Sequence, residues 1–140
     1  MIKPVSESNK HEWAVMNAEL WAGDVTEEDA LNDLADLPNE FLYYVGEEAV
    51  GFVSLSLRHD YVEGTDSNPV GYLEAIYVKS EFRKRGIAKE LVNFAKDWSK
   101  KQGCTELASD CKLTNEKSRL FHTQIGFEEA NRIICFTMKI

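Results

Sequence analysis

Three cysteines and three prolines are few for a chain of 140 residues, and each shortage removes a class of protein. Cys104, Cys111 and Cys135 are odd in number and lack CxxC spacing, so neither a disulfide framework nor a zinc site is expected, and no metal is called for. They read as small, partly buried thiols that stay reduced. No apolar run approaches the roughly 20 residues that cross a bilayer. Met1 to Lys10 lack the apolar stretch of a secretion signal. A cytoplasmic protein without membrane association is therefore expected. Basic residues are also scarce: 16 Lys and Arg stand against 24 Asp and Glu, for a net charge of −8. That is the wrong sign for a nucleic-acid partner and compatible with a polycationic small molecule. Repeats and linker-like stretches are absent, so residues 1–140 are expected to form one domain.

What is present reads as mixed α and β structure. Ile2 to Val5 can start a sheet. Ser8 is placed to cap a helix carrying Trp13, Met16, Leu20 and Trp21 on one face. Thr26 is placed to cap a second helix, with Glu27, Glu28 and Asp29 in its first turn. Leu31, Leu34 and Leu37 supply its apolar side, and Pro38 ends it. Phe41 to Val45 and Ala49 to Leu57 read as a hairpin around Gly46-Glu47-Glu48. A polar loop at 61–69 leads to a strand at Val70 to Val78. A helix follows from about Gly86 to Gln102, with Ile87, Leu91, Phe94 or Ala95, and Trp98 facing inward and Gly103 stopping it. A short strand at Glu106 to Ser109, a helix at Asn115 to Gln124 and a terminal strand at Ile133 to Ile140 complete the order.

The chemistry concentrates where the strand ending Ile76-Tyr77-Val78 runs into Arg83-Lys84-Arg85-Gly86-Ile87-Ala88-Lys89. Gly86 and Ala88 keep side chains off the backbone at a helix start. The loop amides and first helical N–H groups are then free to bind an anion. Three basic residues add local positive charge to an acidic chain, and such a nest suits a pyrophosphate. Composition alone does not name the ligand; three basic residues beside a glycine also describe a solvated loop.

The pattern Arg83-x-x-Gly86-x-Ala88, after a strand and before an amphipathic helix, resembles the signature of the GNAT superfamily of N-acetyltransferases. Asn115, Ser118, Phe121, His122, Gly126 and Phe127 are similar to a second stretch of that superfamily. The resemblance implies an α+β fold: a central mixed, mostly antiparallel twisted sheet flanked by helices, with a V-shaped splay between the two central strands. It implies acetyl-CoA as cosubstrate, cradled by Ile76, Tyr77, Val78, Arg83, Lys84, Arg85, Gly86, Ile87, Ala88, Lys89, Asn115, Ser118 and His122. In relatives a Tyr at the position of His122 donates a proton to the leaving thiolate. An imidazole N–H can also donate, and a histidine that only packs against the cofactor fits equally.

A closer resemblance covers nearly the whole chain. Ile2-Lys3-Pro4, Glu19-Leu20-Trp21, the run from Tyr61 to Val78, and Cys104 to Asp110 look like the aminoglycoside 6′-N-acetyltransferases, in which His122 is also seen. This implies transfer of the acetyl group to the 6′-amine of aminoglycoside antibiotics, conferring resistance. The acceptor pocket would be built from Trp21, Tyr61, Asp66, Glu74 and Asp110, and relatives are often homodimers. Asp66 in its loop and Asp110 after its strand are expected to reach the cleft at the sheet's C-terminal end. Carboxylates there would bind ammonium groups, and Trp21 and Tyr61 would pack on sugar rings or face a cation. Read alone, each carboxylate is equally a surface charge or half of an ion pair. The expected chemistry is direct attack in a ternary complex, with Glu74 and Asp110 as proton acceptors through water. The Val78 N–H would polarise the thioester carbonyl. An acyl-enzyme on Cys111 is the runner-up route. The competing functions are acetylation of another cationic amine, such as a polyamine or protein lysine, and an acetyl-CoA-binding interaction module.

Overall fold

The computed structural model describes residues 1–140. Its strands are β1 (Ile2–Pro4), β2 (Glu40–Val45), β3 (Glu48–Arg58), β4 (Val70–Val78) and β5 (Leu107–Ser109). Its helices are α1 (Lys10–Leu20), α2 (Glu27–Asp33), α3 (Ile87–Lys101) and α4 (Glu116–Ile125). The five strands form one sheet in chain order, antiparallel except for the parallel pair β4–β5. No helix is long and apolar enough to cross a membrane.

Alternation along the strands divides the core in two. Val53, Leu55, Leu73 and Val78 face α3, where they bury Ile87, Leu91 and Ala95. Leu42, Ala49 and Phe52 face the other way, against Trp13, Ala14 and Met16 of α1 and Ala30 of α2. Each fully buried aliphatic or aromatic side chain is worth roughly 1.5–3 kcal/mol. The two layers hold the sheet from both faces and leave its β5 end as the less covered part.

Local signals set most boundaries. The Thr26 hydroxyl accepts from the Asp29 N–H, and the Asp29 carboxylate accepts from the Thr26 N–H, a reciprocal cap of α2. Gly46-Glu47 closes the β2–β3 hairpin. Asn115 caps α4 by accepting from the Ser118 N–H at 3.1 Å, and Gly126 ends it in the left-handed region.

Four local expectations are corrected. α1 begins after Asn9, not Ser8; the Ser6 carbonyl accepts from the Lys10 N–H at 3.0 Å, while the Asn9 side chain turns back to Ser6 and Pro4. α2 stops at Asp33 and tightens into a 3₁₀ turn at Leu34–Asp36, so Leu37 is left exposed. On α3 the buried stripe closes with Ser99, and Trp98 is only half-buried. The reason is Gly71 of β4: a Cβ there would lie 2.1 Å from the Ser99 Oγ, so the small residue lets helix and strand approach. Last, Ile133 to Ile140 form no strand. They run without partners, and Ile133, Ile134, Phe136, Met138 and Ile140 are exposed. Within one chain nothing pairs with them, and an unpaired segment has no ladder to make it a strand.

Candidate active site

The opening at the sheet centre follows from strand length. β5 pairs with β4 only through Gly71–Leu107, Tyr72–Ala108 and Leu73–Ser109, whereas β4 continues to Val78. From Glu74 onward β4 has no partner on that side, which is the V-shaped splay. The Lys79 N–H donates to the Val50 carbonyl at 2.8 Å. By alternation, the N–H and C=O groups of Ile76 and Val78 point away from β3, into the opening. The Val78 carbonyl is taken by the Arg83 Nε at 2.8 Å, and the Val78 N–H remains available.

The loop beyond β4 has the shape of an anion nest. Lys84 (φ 62°) and Gly86 (φ 84°) both adopt positive φ, separated by Arg85. For Lys84 that geometry is unusual, and it turns successive N–H groups toward one side. The amides of residues 84–89 donate to no acceptor within the protein, as expected of a loop and helix start left open to a ligand. Nothing lies within 4 Å of where a Gly86 Cβ would be. A pyrophosphate fits these free donors and this space. The exposed Arg83, Lys84, Arg85 and Lys89 surround it. Arg83 is partly committed: besides its bond to Val78, its guanidinium stands 5.6 Å from the Tyr77 ring. The Tyr77 hydroxyl donates to Glu19 at 2.5 Å, and burial with that carboxylate pushes the phenol up to about 12.

Across the opening stands His122 of α4. Its Nδ1 lies 2.6 Å from the Ser118 carbonyl oxygen, so Nδ1 carries the proton and donates it. Its Nε2 is 2.8 Å from the Ser109 Oγ, and that hydroxyl also lies 3.1 Å from the Leu73 carbonyl, where β4 and β5 part. Both ring nitrogens are engaged. Asn115 and Ser118 serve the same helix end, through the cap.

On the α1–α2 face, the β3–β4 register passes from Ser54–Ala75 to Leu55–Leu73, leaving Glu74 at a bulge. Bulges re-aim side chains beside active sites. Glu74 lines a cavity of about 210 Å³ together with Trp21, Glu40 and Ser54. It also forms an ion pair with Arg58, whose guanidinium stacks 3.5 Å from the Tyr72 ring centre. The Tyr72 hydroxyl in turn donates to Asp110; burial and that carboxylate raise the phenol. Glu74 and Asp110 are thus two ends of one chain of contacts. Arg58 and Tyr72 were not singled out in the sequence, where an Arg ending a strand looks like any exposed cation.

Asp66 lies elsewhere than expected. The Asp66 N–H and the Ser67 hydroxyl both bond Glu106, just before β5, whereas Asp110 follows its end. The strand lies between the two aspartates, so Asp66 stands at the N-terminal end of the parallel pair. Tyr61 is 77% exposed at the loop's start. Cys111 is exposed and free.

Residues 7–127 match the acetyltransferase (GNAT) family. The chain belongs to that family. Among its relatives is the aminoglycoside N(6′)-acetyltransferase type 1 of Acinetobacter haemolyticus, 36% identical over 99% of this chain and 98% of that protein. The enzyme of the same name from Salmonella enteritidis is 36% identical over 96% of each. Among solved structures, the ligand-free aminoglycoside 6′-N-acetyltransferase of Acinetobacter haemolyticus superposes with a TM-score of 0.93 at 35% identity, covering 100% and 99% of the two chains. A 6′-N-acetyltransferase bound to a bisubstrate analogue joining coenzyme A to acetylneamine gives 0.91 at 34% identity, covering 100% and 98%. This GNAT chain has the fold of those enzymes from end to end.

Proposed function

We propose that the protein transfers the acetyl group of acetyl-CoA to the 6′-amine of aminoglycosides, by direct attack in a ternary complex. One observation carries the reading: the opened β4 edge joins an anion nest on one side to a carboxylate-lined cavity on the other. The match to enzymes of that name along the whole chain supports it.

Acetyl-CoA, when bound, supplies a thioester carbonyl already activated for attack. The amides of residues 84–89 hold its pyrophosphate, with Arg83, Lys84, Arg85 and Lys89 adding charge. The Val78 N–H donates to the thioester oxygen, a fixed dipole aimed where negative charge grows. Glu74 and Asp110 bind ammonium groups of the acceptor and take the reacting amine's proton through water. Trp21, 41% exposed above the cavity, packs on a sugar ring. Tyr61 packs on the outer part of the drug from its loop. His122 orders the mouth of the splay from α4.

The working unit is a homodimer in the cytoplasm. Free thiols support the compartment. The exposed apolar residues from Ile133 to Ile140 support the dimer, as does the groove of about 460 Å³ between α3, β5 and Ile125–Phe127.

Thiol release with paired drugs tests the reaction. Kanamycin A and tobramycin carry a 6′-amine and should be acetylated there. Paromomycin carries a hydroxyl, which is a weak nucleophile and brings no cation to the carboxylates. It should be turned over negligibly and should inhibit competitively. Brisk acetylation of paromomycin, or acetyl on another ring, would overturn the 6′ assignment.

A further inference from the structure

The roles above leave the most buried acid on the acceptor side unused. Glu40 of β2 is 4% exposed. Its Oε1 accepts from the Trp13 Nε1 at 3.1 Å and its Oε2 from the Ser54 Oγ at 2.5 Å. A carboxylate so deep is ordinarily paired with a cation. Here its hydrogen-bond donors are an indole and a hydroxyl, and no Lys, Arg or His lines the cavity that Glu40 shares with Trp21. The ionisable groups facing that cavity from the surrounding elements are Asp33 of α2 and Glu74 of β4; α1 contributes Trp13 and Asn17, which do not titrate.

Register explains the grouping. Glu40 pairs with Ser54, and Ser54 with Ala75, so the three side chains form a row on one sheet face. The bulge brings Glu74 to the end of that row. Glu74 already has Arg58 as its partner. Glu40 has none, and it touches the cavity both directly and through the Ser54 hydroxyl.

We propose that Glu40, reached through Ser54, is where the acceptor amine's proton comes to rest during acetyl transfer. This rests on the amine-acetyltransferase reading and deepens it. The N–H bond of the acceptor ammonium breaks, and its electron pair stays on nitrogen for the attack. The proton that Glu74 first draws off through water moves on to the Ser54 Oγ, whose own proton passes to Glu40 Oε2 and forms the O–H bond. Nothing is oxidised or reduced. Burial raises the Glu40 carboxyl from 4.5 to about 7, against the Ser54 and Trp13 hydrogen bonds that lower it, and the nearby Glu74 charge raises it further. An acceptor in that range suits proton transfer near neutrality.

The test is the pH dependence of kanamycin A acetylation by the full-length protein and two variants. Wild type should lose kcat/KM for the amine as pH falls through about 7. Glu40→Gln keeps the shape and an acceptor for Trp13. It should lower kcat/KM for the amine about 10- to 100-fold, abolish that limb, and leave the KM for acetyl-CoA unchanged. Ser54→Ala breaks the relay and removes a bond that holds the carboxyl down, so kcat/KM for the amine should fall about 10- to 100-fold and the limb should move to higher pH; a Ser54 that only bonds Glu40 would move the limb without the loss of rate. Glu40→Gln within about threefold of wild type with the limb retained overturns the proposal. So does Ser54→Ala with its rate kept or its limb unmoved, which decides the matter if the glutamine variant fails to fold. Wild-type protein inactive on kanamycin A removes the acceptor reading itself, a result separate from either variant.

Discussion

At the scale of single residues, Glu40 and His122 lead to different expectations because one is short of partners and the other has them all. The native Glu40 carboxyl keeps its proton up to about pH 7, whereas an unfolded glutamate loses it near 4.5. Between those values the folded state binds more protons than the unfolded one. The contribution of this group to stability is therefore complete below pH 4.5, falls as pH rises to 7, and is flat above. The loss amounts to at most about 3 kcal/mol. Glu40→Gln does not titrate, so its stability relative to wild type should improve across that window. Urea unfolding at pH 5 and pH 8 checks it; a constant difference would mean that the buried carboxyl is charged throughout. For His122, Nδ1–H is committed to Ser118 and Nε2 to Ser109. Acting as the acid for the thiolate would require breaking one of those bonds. His122→Phe is expected to keep kcat within about threefold, the range of ordinary packing changes. A fall of about 100-fold with unchanged coenzyme A affinity would restore the general-acid role.

At the scale of elements, the contact of α3 with β4 decides how tightly that helix sits on the sheet. Gly71→Ala would place a methyl 2.1 Å from the Ser99 Oγ, 2.7 Å from its Cβ and 3.4 Å from the Leu107 Cδ1. The helix must back away, at a cost of roughly 1–3 kcal/mol. Adding Ser99→Ala removes the nearer clash and should recover part of the loss, as coupled neighbours do. Urea unfolding of the single and double variants measures both. Additive losses would show that the two sites do not meet. The periodicity of α3 was legible in the sequence through Ile87, Leu91 and Ala95. That Ser99 rather than Trp98 closes the stripe was not, because a serine scores as polar until the glycine facing it is known.

At the scale of the whole molecule, the C-terminal residues are the part least explained by a single chain. Five large apolar side chains between Ile133 and Ile140 are exposed in a row, and β5 offers a three-residue edge beside an apolar groove. Exposed apolar patches of this kind mark association surfaces, and unpaired strand edges recruit strands. Residue 130 already packs on the 61–69 loop, where a Gly64 Cβ would meet the Ala130 Cβ, and Asn131 donates to Glu63 at 2.7 Å. Deleting residues 133–140 should convert the proposed dimer to a monomer in light scattering and, if Tyr61 packs on the drug as proposed, weaken the aminoglycoside more than acetyl-CoA. A full-length monomer would dismiss the dimer.

The sequence by itself determined what rests on neighbours in the chain. The Thr26–Asp29 cap, the Gly46-Glu47 turn and the run through Gly86 into α3 are set by interactions a few residues long. Their chemistry was readable, and with it the nest. Tertiary structure alone decided the carboxylate-lined side. Arg58 meets Glu74 across 16 positions, Tyr72 meets Asp110 across 38, and Trp13 meets Glu40 across 27. Such pairs exist only after strand register and helix packing bring them together. Asp66 shows the same limit from the other direction: its loop position suggested the cleft, and the side chain of Glu106, 40 residues on, holds its backbone at the opposite end of β5. The terminal segment had the apolar, β-branched composition of a strand, yet a strand is a pairing, and within one chain these residues have nothing to pair with.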